Sequence, residues 1–379
     1  MNAPRPGAAE LREAFEGRRV LVTGHTGFKG SWLTLWLHSL GAHVTGVGRP
    51  AGDRSLFRAL ALDQVCESTV QDVRDAGALA TIVERARPEV VFHLAAQSVV
   101  RASYATPLET LQVNILGTAN LLEAIRLAGR SCAVVIVTSD KCYRHMHVAT
   151  PLSETDTLGG EDPYSCSKAA AELVVESWRR SYFPPEHLAK HGVGVATARA
   201  GNVIGGGDYA ADRIVPDAVR AWEAGAQLQL RNPDHVRSWQ HVLEPLGGYL
   251  LLGAELRAAR REEMCGPWNF GPPADRTATV AEVAEAFARA WNPAAPPRVS
   301  ASAHPGTQEA PVLRLSTRKA EALLGWRSRW RLHESLARTA EWYCASRRGA
   351  SSVLLRDLAL QQIADWLAAP AADATGSAQ

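Results

Sequence analysis

The chain has 379 residues, of which 46% are hydrophobic and 21% charged, and this composition is typical of a folded globular protein. A formal net charge of +2 does not indicate a dedicated nucleic-acid or membrane surface. The six cysteines form neither a CxxC pair nor a zinc-like cluster, which favours reduced thiols. There is no apolar run of membrane-spanning length and no signal-peptide pattern, so we expect a cytoplasmic protein.

Short apolar strands alternate with longer helical patterns through the first half of the chain. The Val, Ile and Leu runs are typical of strands that are buried on both faces of a parallel sheet. We therefore predict an α/β fold of the Rossmann type, with a doubly wound parallel sheet between layers of helices. The predicted strands are 18–24, 42–47, 88–96 and 132–139, and the predicted helices between them are 31–41, 75–86 and 108–128.

The pattern changes at about residue 201, where a Gly-rich segment precedes further helices at 213–224 and 242–258. This change predicts a smaller C-terminal domain that shapes a substrate cleft. We expect four regions, namely a flexible N-terminal tail (1–16), a dinucleotide-binding Rossmann domain (17–200), a mostly substrate-binding domain (201–369, with a returning strand near 268–271) and a flexible tail (370–379).

A glycine-rich turn lies directly between the first strand and the first helix. Glycines permit positive φ angles and let the backbone approach a pyrophosphate, and the following helix N-terminus attracts an anion. The position of the turn therefore predicts a dinucleotide site. We assign to this site the turn residues Gly24, Thr26, Gly27, Phe28, Lys29 and Gly30, the pair Asp72 and Val73 for the adenine edge, and Ala95 and Ala96 after the fourth strand.

The end of the second strand bears on the choice between NAD and NADP. Sites that prefer NAD often place an acidic residue there for the ribose 2′-hydroxyl. This chain instead has Val47-Gly48-Arg49-Pro50. Arg49 either contacts a 2′-phosphate or is a solvated loop charge, so these residues alone leave NAD and NADP open.

Tyr164 and Lys168 form a candidate catalytic pair. Asp162 and Pro163 suit the start of a helix, and the i, i+4 spacing puts both side chains on one face. A neighbouring ammonium is expected to lower the pKa of the Tyr164 phenol, which would make it a working acid/base. Ser139, at the end of the preceding strand, is placed to hold a substrate oxygen.

These motifs together resemble the extended short-chain dehydrogenase/reductase family, and within it the nucleotide-sugar 4,6-dehydratases. The resemblance implies bound NAD and, through the Ser-Asp-Lys triplet at 139–141, CDP-glucose as substrate, because dehydratases of the dTDP-glucose type carry Thr-Asp-Glu there. The matching stretches are VLVTGHTGFKGSWL (20–33), VFHLAAQSVVRASYATPLET (91–110), VTSDKCY (137–143), LGGEDPYSCSKAAAE (158–172), RAGNVIGGGDYAADRIVPD (199–217) and RSWQHVLEPLGGYL (237–250).

The resemblance implies an internal redox cycle that ends in a 4-keto-6-deoxy sugar nucleotide. Tyr164, Lys168 and Ser139 would serve oxidation at C4 of the sugar. Asp140 is assigned as the acid at the 6-hydroxyl and Lys141 as the base at C5. A lysine acts as a base only in its neutral form, which burial or a cationic neighbour favours. The alternative for Lys141 is a simple ion pair with Asp140 at the strand end.

Several residues are candidates for the nucleotide sugar. Arg237 suits the diphosphate because guanidinium binds phosphate in a bidentate way, and Asn202 is expected nearby. Arg213 and Arg231 are alternatives to Arg237. The further candidates, in a loop after the fourth strand, are Gln97, Arg101 and Tyr104.

The expected partners are a nucleotide sugar and a second copy of the chain, in a homodimer or a higher homo-oligomer, as is frequent in this family. We expect no nucleic-acid partner, no membrane partner and no metal. His145 and His147 form an HxH pair without other ligands, which we interpret as a polar loop. Two alternatives remain, namely a sugar-nucleotide epimerase or reductase on the same scaffold, and a non-catalytic dinucleotide sensor.

Overall fold

The centre of the molecule is a seven-stranded sheet in the order β11-β6-β5-β4-β1-β2-β3, in which every neighbouring pair is parallel. This doubly wound order confirms the predicted fold class. A computed structural model describes residues 7–144, 150–258, 261–301 and 312–370. The strands are β1 (Arg19–Thr23), β2 (His43–Gly48), β3 (Glu67–Val70), β4 (Val90–His93), β5 (Cys132–Val137), β6 (Val193–Ala200), β7 (Asn202–Ile204), β8 (Leu228–Leu230), β9 (Val236–Arg237), β10 (Trp239–His241), β11 (Gly266–Phe270), β12 (Ala278–Thr279), β13 (Val299–Ala301) and β14 (Val312–Leu313).

Helices cover both faces of this sheet. The α-helices are α1 (Ala8–Phe15), α2 (Phe28–Ser39), α3 (Leu56–Ala59), α4 (Ala76–Ala86), α5 (Val100–Ala105), α6 (Pro107–Leu111), α7 (Gly117–Ala128), α8 (Pro163–Ser181), α9 (Leu188–His191), α10 (Ile214–Glu223), α11 (Leu243–Ala258), α12 (Val280–Trp291), α13 (Arg318–Leu323), α14 (Leu332–Arg347) and α15 (Ser352–Ala368). One apolar cluster contains Trp32 and Trp36 of α2 together with α11, and the other contains residues of α4, α7 and α8. The Trp-rich helix α2 is therefore part of the core.

The C-terminal part of the chain completes the Rossmann layers. Helix α11 packs against β4, β5 and β6, and β11 pairs with the outer edge of β6. The remaining elements form short sheets, β7 with β10, β8 with β13, and β9 between β12 and β14, beside the carboxyl edge of the large sheet. Two elements within 201–369, α11 and β11, thus belong to the Rossmann layers. Helix α11 is apolar on all sides, so it has to be buried.

The predicted helix over 108–128 is divided by a π-helical segment at Gln112–Leu116. Such segments insert one extra residue and often lie beside functional sites. Here the segment aims the buried side chain of Asn114 inward, where its amide nitrogen donates to the Gln97 carbonyl (3.0 Å) and to Ser167 Oγ (2.8 Å). Its oxygen accepts from the Gln97 backbone N–H (2.9 Å). The irregularity therefore ties the loop after β4 to helix α8.

The predicted flexible tail over 1–16 is wrong for Ala8–Phe15, which forms helix α1. The reason is amphipathic spacing, which buries Leu11 and Phe15, and the Phe15 ring lies 6.2 Å from that of Phe92. Residues 1–6, most of the expected C-terminal tail (371–379), and the His145 and His147 pair lie outside the described residues. In the described ranges no helix is long and apolar enough to cross a membrane.

Replacing Phe15 with Ala tests whether α1 is part of the folded core. A fully buried phenylalanine cut to alanine costs about 3–5 kcal/mol, so the free energy of unfolding in urea should fall by about that amount. The exposed Glu13 of the same helix provides the control, because Glu13→Ala should change it by less than about 0.5 kcal/mol. Equal unfolding midpoints for the two variants would contradict the packing of α1 on the sheet.

Candidate active site

A cavity of about 820 Å³ opens at the carboxyl edge of the large sheet, where the strand order reverses between β1 and β4. Ligands of doubly wound folds bind at this point. The residues assigned from the sequence to the dinucleotide, to catalysis and to the substrate line this cavity, with the exception of Tyr104. They are Gly24, Thr26, Gly27, Phe28, Lys29, Gly30, Asp72, Val73, Ala95, Ala96, Gln97, Arg101, Ser139, Asp140, Lys141, Tyr164, Lys168, Asn202, Arg213 and Arg237, together with the alternative Arg231.

The glycine-rich turn is compact enough to admit a pyrophosphate. Gly24 has a φ of +75°, and a Cβ there would lie 2.7 Å from the backbone nitrogen of Ala95. A Cβ on Gly30 would lie only 2.1 Å from the carbonyl oxygen of Gly24. Side chains are therefore excluded at both positions, and the backbone borders the cavity directly. Helix α2 begins at Phe28 with its N-terminus at the cavity, so the turn fits a dinucleotide.

The end of β2 leaves little space for the acidic residue of many NAD sites. A Cβ on Gly48 would lie 3.0 Å from Thr26 Oγ1, and Thr26 itself donates to the Arg49 carbonyl (2.9 Å). The Arg49 guanidinium lies 3.4 Å from the Glu109 carboxylate, and both residues line the cavity. Glu109 of α6 therefore brings a carboxylate, paired with Arg49, to this part of the cavity. Local sequence gave no signal for this residue, because 60 positions separate the pair.

Tyr164 and Lys168 lie in the first two turns of α8, which Asp162 caps by accepting from the Ser165 N–H (2.9 Å). Both side chains are buried, and the Lys168 ammonium donates to the Val137 carbonyl (3.2 Å). Burial lowers the pKa of Lys168 to about 8, although the charge of Glu172 opposes that shift.

The expected lowering of the Tyr164 pKa is wrong for this structure. Burial raises the pKa of Tyr164 to about 12, against the opposing effect of a hydrogen bond with Ser139. Desolvation of a phenolate outweighs the neighbouring charges here, since Asp140 adds to the rise and Arg213 offsets only part of it. The arrangement supports acid/base chemistry at a protonated phenol that shares a hydrogen bond with Ser139.

The Ser139-Asp140-Lys141 triplet forms one tight turn after β5. The Ser139 hydroxyl accepts from the Lys141 backbone N–H (3.2 Å) and lies 3.1 Å from an Asp140 carboxylate oxygen, to which it donates. Asp140 is buried, and a Cβ on Gly201 would lie 3.1 Å from its other oxygen. Glycine at 201 therefore leaves the space that the carboxylate occupies. The turn presents a hydroxyl, a carboxylate and an amine to the cavity within three residues.

Lys29 brings a further amine to the site. Its Nζ lies 5.9 Å above the ring of Tyr249, and burial, assisted by the charges of Arg213 and Lys168, lowers its pKa to about 7. The sequence indicated only a backbone role for this residue. Its side chain was missed because the sequence does not show which way a turn residue points.

Two aspartates that the sequence analysis missed hold the substrate-side arginines. Asp208 accepts from Arg213 (2.9 Å), and Asp212 accepts from both Arg101 (2.8 Å) and Arg231 (2.7 Å). The signal was present in the GGGDYAADR run, since both acids follow its glycines. The arginines are therefore pre-oriented at the cavity wall.

Three other candidates differ in their placement. Arg237 is buried and donates to the Val236 carbonyl (2.9 Å). The Gln97 side chain donates to the Val99 carbonyl and to Thr110 Oγ1, so it shapes its own loop. Tyr104 is 52% exposed and does not line the cavity. Over the ranges that the structure describes, no group of three or more His, Cys, Asp or Glu side chains is arranged to hold a metal ion.

Comparisons with known proteins identify the family. The profile described as GDP-mannose 4,6 dehydratase matches residues 21–254. A CDP-glucose 4,6-dehydratase of Salmonella typhimurium is 43% identical over 94% of this chain and 98% of its own length. An Escherichia coli dTDP-glucose 4,6-dehydratase is 24% identical over 88% of this chain and 95% of its own.

Solved structures agree with these sequence matches. The dTDP-glucose 4,6-dehydratase DesIV of Streptomyces venezuelae, solved with NAD, superposes with a TM-score of 0.73 at 26% identity, over 89% of this chain and 99% of its own. MoeE5, solved with UDP-glucuronic acid and NAD, gives a TM-score of 0.72 at 26% identity, over 86% and 99%. The chain therefore belongs to the nucleotide-sugar 4,6-dehydratase family of the extended short-chain dehydrogenases/reductases.

Proposed function

We propose that this protein catalyses the NAD-dependent dehydration of CDP-D-glucose to CDP-4-keto-6-deoxy-D-glucose. The observation that carries the proposal is the Ser139-Asp140-Lys141 turn, which meets Tyr164 and Lys168 in one cavity beside the glycine-rich turn. The 43% identity with the Salmonella CDP-glucose 4,6-dehydratase over nearly the whole chain supports CDP-glucose as the substrate. The cycle needs both oxidation and elimination groups, and this site offers both.

The residues of the site fit NAD as the cofactor. Gly24, Gly27 and Gly30 would hold the pyrophosphate against the N-terminus of α2, and Asp72 and Val73, which line the same cavity, would face the adenosine. Ala95 and Ala96 would lie against the cofactor after β4. When bound, NAD accepts a hydride from C4 of the sugar and later returns it to C6. The solved relatives that contain NAD support this choice.

Oxidation at C4 depends on Tyr164, Ser139 and Lys168. As hydride leaves C4, the proton of the 4-hydroxyl passes to the Tyr164 phenolate, and Ser139 hydrogen-bonds the same sugar oxygen. Lys168 supplies positive charge beside the phenolate and holds the cofactor ribose. Burial disfavours the charged phenolate, so only a small fraction of Tyr164 is deprotonated at neutral pH. This fraction limits the rate of C4 oxidation.

Elimination follows at C5 and C6. The 4-ketone acidifies the C5 hydrogen, Lys141 removes that proton, and Asp140 in its protonated form gives a proton to the departing 6-hydroxyl. The C5–C6 double bond forms as water leaves, and hydride return to C6 with a proton to C5 gives the 4-keto-6-deoxy product. The cycle is redox-neutral, so the cofactor has no need to exchange with a cellular pool.

The nucleotide diphosphate would lie along the arginine side of the cavity. Arg237 is the proposed diphosphate ligand, with Asn202 beside it and Arg213 and Arg101 nearer the sugar. Arg231, which Asp212 holds, is the alternative contact.

We also propose that the protein is a cytoplasmic homodimer that supplies deoxysugars for bacterial surface polysaccharide. The candidate dimer face lies on α7 and α8, which expose Leu127 (63%) and Leu173 (56%), and on Tyr182 (50%), which directly follows α8. Exposed apolar side chains on adjacent helices are typical of an interface.

An epimerase or reductase remains the rival activity, since it would need Tyr164 and Lys168 without the Asp140-Lys141 pair.

The substrate is tested by mass spectrometry of the purified protein with CDP-glucose and, separately, with dTDP-, UDP- and GDP-sugars, with and without added NAD. We expect loss of one water from CDP-glucose and no net NADH. Loss of water from a different sugar nucleotide alone would contradict the base preference. An unchanged mass with all four would instead favour an epimerase.

The role of Lys141 is tested by Lys141→Gln. Loss of a general base costs about 10²–10⁴-fold in rate, so dehydration should fall by at least about 100-fold while C4 oxidation continues and NADH absorbance persists. The matched control is Lys190→Gln, because Lys190 is an exposed lysine of α9, and it should keep the full rate. Full dehydration by Lys141→Gln would exclude Lys141 as the C5 base.

The pKa values of Tyr164 and Lys168 predict the pH dependence of C4 oxidation. Below pH 8 the phenolate fraction of a tyrosine with a pKa of about 12 rises about tenfold per pH unit, so the rate should rise with it. Near pH 8 the rise should level off, because Lys168 begins to lose its proton. Single-turnover NADH formation in Lys141→Gln isolates this step. A rate independent of pH between 6 and 8 would contradict a phenolate base.

A further inference from the structure

A buried ion pair lies directly beneath the catalytic residues. Glu172 of α8 and Arg199 of β6 are 4% and 3% exposed. The guanidinium makes a bidentate contact, with Nε donating to one carboxylate oxygen (2.9 Å) and Nη2 to the other (2.8 Å). Thr138 and Thr197 hydroxyls donate to the same two oxygens, at 2.5 and 2.7 Å. A buried carboxylate is stable only with such complete hydrogen bonding.

The remaining guanidinium nitrogen of Arg199 ties the ion pair to its surroundings. Nη1 donates to the Tyr143 hydroxyl (2.8 Å) and to the Glu154 carbonyl (3.1 Å). The Tyr143 hydroxyl in turn donates to Asn269 Oδ1 (2.7 Å) on β11. The position of the guanidinium, and through it the carboxylate, is therefore set by β6, β11 and the segment after β5.

Glu172 connects the two elements that carry the proposed oxidation residues. Thr138, which donates to its carboxylate, is the residue directly before Ser139. Lys168 precedes Glu172 by four positions on α8, so the two side chains lie on one face of the helix. One carboxylate thus touches the strand end that bears Ser139 and shares a helix face with Lys168.

The charges around Lys168 come from several elements. On α8, Lys168 shares a face with Tyr164 and Glu172. Its other titratable neighbours are Cys142 in the turn after β5, Lys29 of α2 and His93 of β4. Burial opposes the ammonium, and the Glu172 carboxylate supports it. Burial also opposes the Glu172 charge, but Arg199 and the hydrogen bonds keep the net pKa of that carboxyl below its ordinary value.

We propose that Glu172 is a positioning residue, which holds Ser139 and Lys168 in register through the hydrogen bond from Thr138 and the helix face that it shares with Lys168. On that face its carboxylate supplies the negative charge nearest to the Lys168 ammonium along α8. The proposal rests on the proposed roles of Ser139 and Lys168 in C4 oxidation. Glu172 does not line the cavity, so it acts through these neighbours. Arg199 takes part by fixing the carboxylate as an anion.

The test is the apparent pKa of Lys168, measured by competitive acetic anhydride labelling and peptide mass spectrometry across a pH series. Lys168 borders the cavity but is only 5% exposed, so labelling is carried to long times, and no substrate is needed. Removing the carboxylate charge lowers the proton affinity of the lysine, so Glu172→Gln should lower the Lys168 pKa by about one unit, a tenfold change. Thr197→Val, the matched control, removes one hydrogen bond but keeps the charge and should leave the pKa unchanged.

Glu172→Gln leaves Arg199 buried without its ion partner, a loss that strongly destabilises the folded state. The double variant Glu172→Gln/Arg199→Met removes both charges and serves if the single variant does not fold. Because loss of the guanidinium opposes the effect of losing the carboxylate, the Lys168 pKa of the double variant should fall by less than that of Glu172→Gln. An unchanged Lys168 pKa in the folded variants would overturn the proposal.

The assay of CDP-glucose dehydration separates this result from the proposed function. In the folded Glu172 variant, the levelling of the pH profile for C4 oxidation should move from about pH 8 to about pH 7. If the Lys168 pKa shifts but the protein leaves CDP-glucose unchanged, Glu172 acts on Lys168 as proposed and CDP-glucose is not the substrate. Dehydration of CDP-glucose with an unshifted Lys168 would keep the function and reject the role of Glu172.

Discussion

The arrangement of the site depends on the buried contact between Arg199 and Glu172. Burying two charges costs several kcal/mol per ion unless each is paired and fully hydrogen-bonded, and here the carboxylate accepts from Arg199, Thr138 and Thr197. Thr138 directly follows β5, Thr197 and Arg199 lie on β6, and Glu172 itself lies on α8. The hydrogen bonds to the Glu172 carboxylate therefore set the distance between the end of β5 and α8. This distance brings Ser139 close to Tyr164.

Close packing and polar contacts also fix the edges of the cavity. The glycine-rich turn fits tightly against the end of β4 because Gly24 and Gly30 have no side chains. The π-helical segment sends Asn114 to the loop after β4 and to α8. Asp208 and Asp212 hold the arginines on the opposite wall. The glycine-rich turn is thus fixed by close packing, whereas α8 and the arginines of the opposite wall are fixed by long-range polar contacts.

The sequence predicts the fold class and the glycine-rich turn after β1 well because both depend on local patterns. Continuous Val and Ile runs identify buried parallel strands, and glycine spacing identifies the turn. Helix α1 was missed because eight residues give a weak periodic signal. The place of α11 in the Rossmann layers was missed as well, although its apolar character on all sides was a usable sign of burial.

The electrostatics of the site were not predictable from local sequence. The spacing of Tyr164 and Lys168 is visible in the chain, but the sign of the Tyr164 pKa shift depends on burial, which only the folded structure supplies. Likewise Glu109 meets Arg49, and Arg199 meets Glu172, across 60 and 27 positions of sequence. Local sequence identifies the candidate reactive groups, whereas their protonation states depend on tertiary contacts.

The proposed hydride transfer from C4 to C6 within one active site is tested most directly by an isotope experiment. The protein is incubated with CDP-glucose that carries deuterium at C4, in ordinary water, with unlabelled NADH added to the solution. We expect a product with deuterium at C6 and no loss of label to the added cofactor. Product without deuterium, or label in the free NADH, would contradict the internal cycle.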